Sequence, residues 1–328
     1  MKAKLIKLVL TSLMVGSCFS MQAQEVKNES SKGNAIVQGF WNLHTGLNAE
    51  SHNLGFELER SYIGYQYNLT NGLSIKGVMD IGSPKGVSDY QRLAYIKNAM
   101  VSWKVGGLTL NGGLISTTQF NLQEKTWGYR YIMKSFQDLY KFGSSADLGL
   151  SAAYKFCNWF SADAIIVNGE GYKKVQVKDG LNYGLGLTVT PVKGLYARLY
   201  GSINQAANDG QENTINGAFA LGYKTDRLTL GAEYNMMQNA GFAADSNLSG
   251  YSFYASGKIS SAVDIYARYD QFNTNDPLSA KDESALILGL QMKLGQYVKV
   301  APNFRMTMPK ADGRSNSYAA YISCYFGF

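Results

Sequence analysis

The rhythm of its connections constrains this chain more than any other feature. From residue 35 onward, about sixteen short segments of alternating apolar and polar residues follow one another, separated by breaks that are tight and long in turn. The tight breaks fall at 69–71, 104–106, 157–158, 191–194, 225–226, 260–261 and 294–296. The long ones span about 45–54, 82–91, 117–145, 168–180, 205–213, 239–249, 273–284 and 308–315. A period of two residues over such lengths reads as β-strand. Tight and long connections alternate in an up-and-down antiparallel barrel, because one rim carries all the turns and the other all the extended loops. A β-sandwich imposes no such order.

The strands themselves say what lies on each side of the wall. Leu148, Leu150, Ala152, Tyr154 and Phe156 share one face, opposite Asp147, Gly149, Ser151 and Lys155. Leu181, Tyr183, Leu185, Leu187 and Val189 stand opposite Asn182, Gly184, Gly186 and Thr188, and Leu228, Leu230, Ala232, Tyr234 and Met236 opposite Thr229, Glu233 and Asn235. A packed β core would be apolar inside. Here the second set is polar, charged or small, so the expected fold is all-β: a transmembrane barrel of about sixteen strands over 35–328, apolar toward lipid and wet within.

The amino terminus agrees with that compartment. Lys2, Lys4 and Lys7 precede an apolar stretch from Leu8 to Val15 and small or polar residues to Ala23, so 1–23 reads as a signal peptide and 24–34 as an N-terminal segment. Val15-Gly16-Ser17-Cys18 offers a lipoprotein cleavage site as the competing reading. Removal of 1–23 leaves 28 basic against 24 acidic residues, a net charge of +4 rather than +7, too mild to suggest nucleic acid. Beyond the signal no apolar run approaches the ~18–20 residues of a transmembrane helix. Cys157 and Cys324 are the cysteines left, too few for a disulfide scaffold, and their places in the strand order put them on separate walls, so they are not expected to pair. With His44 and His52 as the sole histidines, no catalytic or zinc pattern arises, and Ser51 beside His52 reads as a loop pair. No enzymatic activity, metal or cofactor is expected.

Tyr67, Trp103, Phe156, Trp159, Tyr223, Tyr297 and Phe328 lie within a few residues of a tight turn or the chain end, as an aromatic girdle at a lipid boundary would. The last strand, Ser317 to Phe328, ends in alternating aromatics and a terminal Phe, and resembles the carboxy-terminal strand by which outer-membrane barrels are recognised for assembly. The wider chain resembles porins of the Gram-negative outer membrane, in a group similar to the phosphate-selective porins. The resemblance rests on Tyr62-Ile63-Gly64-Tyr65-Gln66-Tyr67, on Trp127-Gly128-Tyr129-Arg130-Tyr131 with Lys134-Ser135-Phe136-Gln137-Asp138, and on Asn168-Gly169-Glu170-Gly171-Tyr172. It implies a passive aqueous channel for small hydrophilic solutes, set in outer-membrane lipid, assembled through the strand ending in Phe328 and able to form a homotrimer. The long third loop lacks a dense run of lysines, so phosphate selectivity is not implied. A phosphate- or sugar-selective porin is the alternative, and a surface adhesin or receptor barrel a further one.

The third long loop, Thr117 to Ser145, has 29 residues and seven aromatics among them, Phe120, Trp127, Tyr129, Tyr131, Phe136, Tyr140 and Phe142. A loop of that length and apolar content packs against something. Ser135 three residues before Asp138 suggests a short capped helical turn. By resemblance to porins whose third loop folds inward, this loop would narrow the pore, with Lys125, Arg130, Lys134 and Asp138 at the constriction; the alternative is a lid over the outer rim. Alternation places Lys76, Lys155, Arg198, Lys258, Arg268, Lys293, Lys299 and Arg305 inward with Asp80, Asp147, Asp163, Glu233, Asp264 and Asp270. Eight basic against six acidic positions predict a slight preference for anions, with Arg198 and Arg268 near mid-strand at constriction height. Some of these charges would be cross-strand ion pairs instead. Pro302, inside a strand of a closed barrel, predicts a bulge.

Overall fold

The computed structural model of the chain describes residues 33–48, 53–82, 92–174, 179–276, 279 and 281–328. The signal segment 1–23, Cys18, Ser51 and His52 lie outside the described residues. Sixteen strands form one closed antiparallel barrel in which each pairs with its neighbours in sequence and the last pairs with the first. They are β1 (Gly33–Gly46), β2 (Gly55–Asn68), β3 (Leu73–Gly82), β4 (Leu93–Val105), β5 (Leu108–Ser116), β6 (Ala146–Lys155), β7 (Phe160–Val167) and β8 (Asn182–Val192). Then follow β9 (Leu195–Asn204), β10 (Thr214–Lys224), β11 (Leu228–Gln238), β12 (Leu248–Lys258), β13 (Val263–Thr274), β14 (Glu283–Leu294), β15 (Val298–Pro309) and β16 (Ser317–Gly327). Closure runs from Gln38 against Gly327 to Gly46 against Ala319. With no edge left, the strands satisfy their backbone groups within the sheet, which a wall in contact with hydrocarbon requires.

The faces sort as the alternation predicts. Ile63, Leu150, Leu185, Leu199, Phe219, Phe253 and Ile322 point outward and are exposed, whereas Asp147, Ser151, Arg198, Glu233, Asn235 and Ser323 are buried on the inside. Soluble monomers rarely expose an apolar patch beyond a few hundred Å². A belt running round the whole barrel exceeds that and needs lipid to cover it. The seven aromatics at the turn rim and chain end all expose a third or more of their surface. Cys157, exposed in the turn between β6 and β7, and Cys324, buried in β16, are both free thiols.

The register slips elsewhere than Pro302. Between β1 and β2 it shifts so that Glu59 is the extra residue, and between β3 and β4 so that Lys97 is; a third irregularity lies at Val189/Val192. At Pro302 the expected bulge is absent. Pro302 pairs with Ile322 of β16 in unbroken register, while toward β14 the ladder lapses between the pairs Gly289–Asn303 and Met292–Val300 and resumes in the same register. The strand accommodates the missing N–H by leaving a short unpaired window, with no residue added.

Candidate functional site

The third long loop does not close over the rim; it crosses the barrel. It carries two helices, α1 (Asn121–Trp127) and α2 (Phe136–Leu139). Gly128 ends α1 in the left-handed conformation, φ 73°, and its N–H returns to the Glu124 carbonyl at 2.9 Å. Ser135 occupies the position before α2, but its hydroxyl makes no capping bond, so the expected side-chain cap is not formed. From its roots on β5 and β6 the loop reaches the far wall. Trp127 lies 5.4 Å from the Tyr254 ring of β12 and 6.1 Å from Tyr266 of β13, Tyr129 lies 4.6 Å from Tyr266, and Tyr131 lies 5.7 Å from Tyr325 of β16. Tyr140 stacks on Phe272 of β13 at 4.6 Å. Burial of rings of this size dominates local packing energy.

The middle of such a loop has carbonyls without helical partners, and the wall supplies donors. Arg198 Nη2 donates to the Thr118 carbonyl at 2.8 Å, Arg268 Nη1 to Lys134 at 2.6 Å, Arg305 Nη2 to Ile132 at 2.8 Å, and Lys224 Nζ to Lys125 at 3.1 Å. Arg198 is also paired with Asp163 at 2.6 Å and Arg268 with Asp270 at 2.6 Å. Arg305 lies 3.7 Å over the Tyr321 ring. These arginines occupy the inward positions the alternation gives them, but Arg198 and Arg268 are buried at 4% and 2% exposure, so they do not face the water passage expected of them. Their planar forks hold loop backbone and carboxylate at once. Glu233, also buried, accepts from Asn235 at 3.1 Å.

A further group of charges lies between the loop and β2–β4. On the wall, Arg60 pairs with Asp80 at 3.1 Å and donates to the Tyr62 hydroxyl at 3.1 Å, and Lys97 donates to the same hydroxyl at 3.2 Å. Tyr172, in the loop after β7, donates to Asp80, and Lys173 sits 5.6 Å over its ring. Burial, with the Asp80 carboxylate adding to it, pushes the Tyr172 hydroxyl well above the ordinary range, so it stays a donor. On the loop, Arg130 bridges Glu124 at 3.5 Å and Asp138 at 3.1 Å, and Lys134 reaches Asp138 at 3.3 Å. Burial alone would raise the Asp138 carboxyl, but Arg130, Lys134 and Arg60 outweigh it and hold it below the usual value. Lys134 is lowered by burial and by Arg130 and Arg60, against the pull of Asp138. Arg60 is thus felt by both loop residues. The long-loop side of this face opens into a cavity of about 610 Å³ that Arg60, Lys134, Asp138, Tyr172 and Lys173 share. On the short-turn side lies another of about 350 Å³, bordered by Lys76, Lys97 and Arg130. Lys125 is exposed at the end of α1, toward the short turns.

Arg60, Lys97 and Lys173 are absent from the inward set read from the sequence. The first two sit at or beside bulges, where strict counting by two fails. The signal was present: Glu59-Arg60 and Lys97-Asn98 place two polar residues in succession mid-strand, which marks an inserted residue. Among the described residues no group of three or more His, Cys, Asp or Glu stands where a metal ion could be held.

The architecture defines a porin-type barrel: sixteen up-and-down strands with the third long loop folded across the interior. The fold is similar to OprB of Pseudomonas putida, with a TM-score of 0.69 at 12% identity over 90% of this chain and 94% of that one. It is similar to OmpF of Salmonella typhi in complex with daunomycin, with a TM-score of 0.68 at 10% identity over 93% and 100%. An anion-selective porin from Comamonas acidovorans gives 0.65 at 14% identity over 91% and 100%. No family model matches the sequence, and none of the curated proteins does.

Proposed function

We propose that the protein is a passive diffusion channel of the Gram-negative outer membrane, delivered there by the signal peptide 1–23, for small hydrophilic solutes and with a weak preference for anions. The observation that carries this reading is the loop Thr117–Ser145 folded across the polar interior of a sixteen-stranded barrel whose exterior is apolar. Such a barrel is too wide for side chains to fill. A loop anchored from β9 to β16 narrows it, and the passage runs between Arg130, Lys134 and Asp138 on the loop and Arg60, Lys97 and Tyr172 on the other side. There Arg60, Lys97, Arg130, Lys134 and Lys173 stand against Glu59, Asp80, Glu124 and Asp138. In a narrow passage, screened less than bulk solution, that excess favours anions. Lipid covers the exterior, β16 with Phe328 serves assembly, and a homotrimer fits the resemblance to porins. Purified protein in planar bilayers is expected to give stepwise conductance and a reversal potential on the anion side in a salt gradient. An insulating protein overturns the channel, and a cation-side potential overturns the preference.

A further inference from the structure

On the short-turn side of the passage the 350 Å³ cavity combines two kinds of surface. One is cationic. Lys76, Lys97 and Lys299 border it, and among the described residues none of the three has a carboxylate within ion-pair distance. Arg130 and Glu124, which also border it, are 3.5 Å from each other, and Asp264, whose charge Lys299 feels, is held by Lys293 at 2.9 Å. The other surface is apolar. Phe40, Val78, Tyr131 and Tyr325 form it, with Phe40 5.8 Å from Tyr325 and 6.5 Å from Tyr131, all belonging to the cluster that seats the loop. Lys299 lies 5.0 Å over the Tyr325 ring and Lys97 4.5 Å over Tyr62, so ammonium groups and ring surfaces meet at the cavity wall.

A solute with a carboxylate at one end and an apolar body at the other uses both: the carboxylate meets the lysines and the body packs on the half-buried ring of Tyr325, beside the buried rings of Phe40 and Tyr131. The volume lies at the lower end of the ~300–1,000 Å³ typical of small-molecule sites. We infer that this cavity is a binding subsite for small organic anions, monocarboxylates bearing a compact apolar body, through which such solutes pass with a pause. The inference rests on the channel reading for its place in transport, but binding itself can be measured without conduction.

Titration calorimetry of the full-length protein in detergent, with benzoate as probe and acetate and benzyl alcohol as comparators, tests it. Benzoate is expected to bind at least about tenfold tighter than acetate, and benzyl alcohol to show no saturable binding. Lys76→Gln with Lys299→Gln should weaken benzoate about tenfold while the circular dichroism remains that of a β-barrel; should that pair not fold, Lys76→Arg, which keeps the charge, is expected to leave benzoate affinity within about twofold, and Lys76→Gln alone to lower it. Equal affinity for benzoate and acetate, or benzoate binding indifferent to the loss of lysines, overturns the subsite. Bilayer recordings separate the two readings: a protein that binds benzoate but does not conduct overturns only the channel, and one that conducts chloride without discriminating benzoate from acetate overturns only the subsite.

Discussion

Arg268 of β13 donates to the carbonyl of Lys134, 134 positions earlier in the chain, at 2.6 Å. The same guanidinium holds Asp270 through two bonds of 2.8 and 2.6 Å and lies 5.1 Å from the Trp127 ring. One side chain therefore ties the loop's backbone, its largest ring and a buried wall carboxylate together. Arg268→Ala should leave Asp270 buried without its partner, at a cost of about 3–5 kcal/mol, and free the loop at its far anchor. Single-channel conductance is expected to rise and become noisier, with a lower unfolding temperature. Adding Asp270→Asn should restore part of the stability but not the smaller conductance. Unchanged conductance in Arg268→Ala would mean the aromatic contacts alone seat the loop.

Arg60 and Lys97 are expected to govern selectivity more than any other wall charge. Arg60→Gln leaves Asp80 with Tyr172 as its remaining partner and so adds an unmatched negative charge, while Lys97→Gln removes a positive one without disturbing an ion pair. The double variant should move the reversal potential to the cation side. Lys193→Gln, in an exposed turn at the rim, should leave it where it was. A shift as large in Lys193→Gln would place selectivity at the mouth of the pore.

Much of this architecture can be read from the sequence because period two and turn chemistry are local. Strand β10 spans 214–224 and β9 spans 195–204 in both the sequence reading and the structure. What was not legible depends on contacts between distant segments. Counting by two places Arg198 and Arg268 inward but cannot say that a loop will lie on them and take up their donors. It also fails at a bulge, which is why Glu59, Arg60 and Lys97 escape it. Helix α1 was missed because seven residues give periodicity too little length, although Gly128 at its end is a readable stop signal.

Cys157 offers a test of orientation. It is exposed in a short turn, while Cys324 is buried against the barrel wall. A membrane-impermeant maleimide is expected to label one thiol per chain in detergent, at Cys157. In intact cells labelling should be absent, and it should appear once the outer membrane is permeabilised, because short turns of such barrels face the periplasm. Labelling of intact cells would turn the barrel over.

The passage should lose its anion preference as pH rises. Lys134 is lowered by burial and by Arg130 and Arg60, and Lys173 by burial and by Arg60, so both ammonium groups release their protons at a lower pH than an ordinary lysine. Their charge is lost as pH climbs toward about 10, the ordinary lysine range. Asp138 is held below the usual carboxylate value, so it is already ionised at neutral pH and stays so throughout the climb. Positive charge therefore leaves the passage while negative charge remains, and the reversal potential should drift toward cations between about pH 7 and 10. Lys134→Met with Lys173→Met should begin closer to cation preference and show a much smaller alkaline drift. If the drift persists undiminished in that variant, the titrating charges lie elsewhere on the wall.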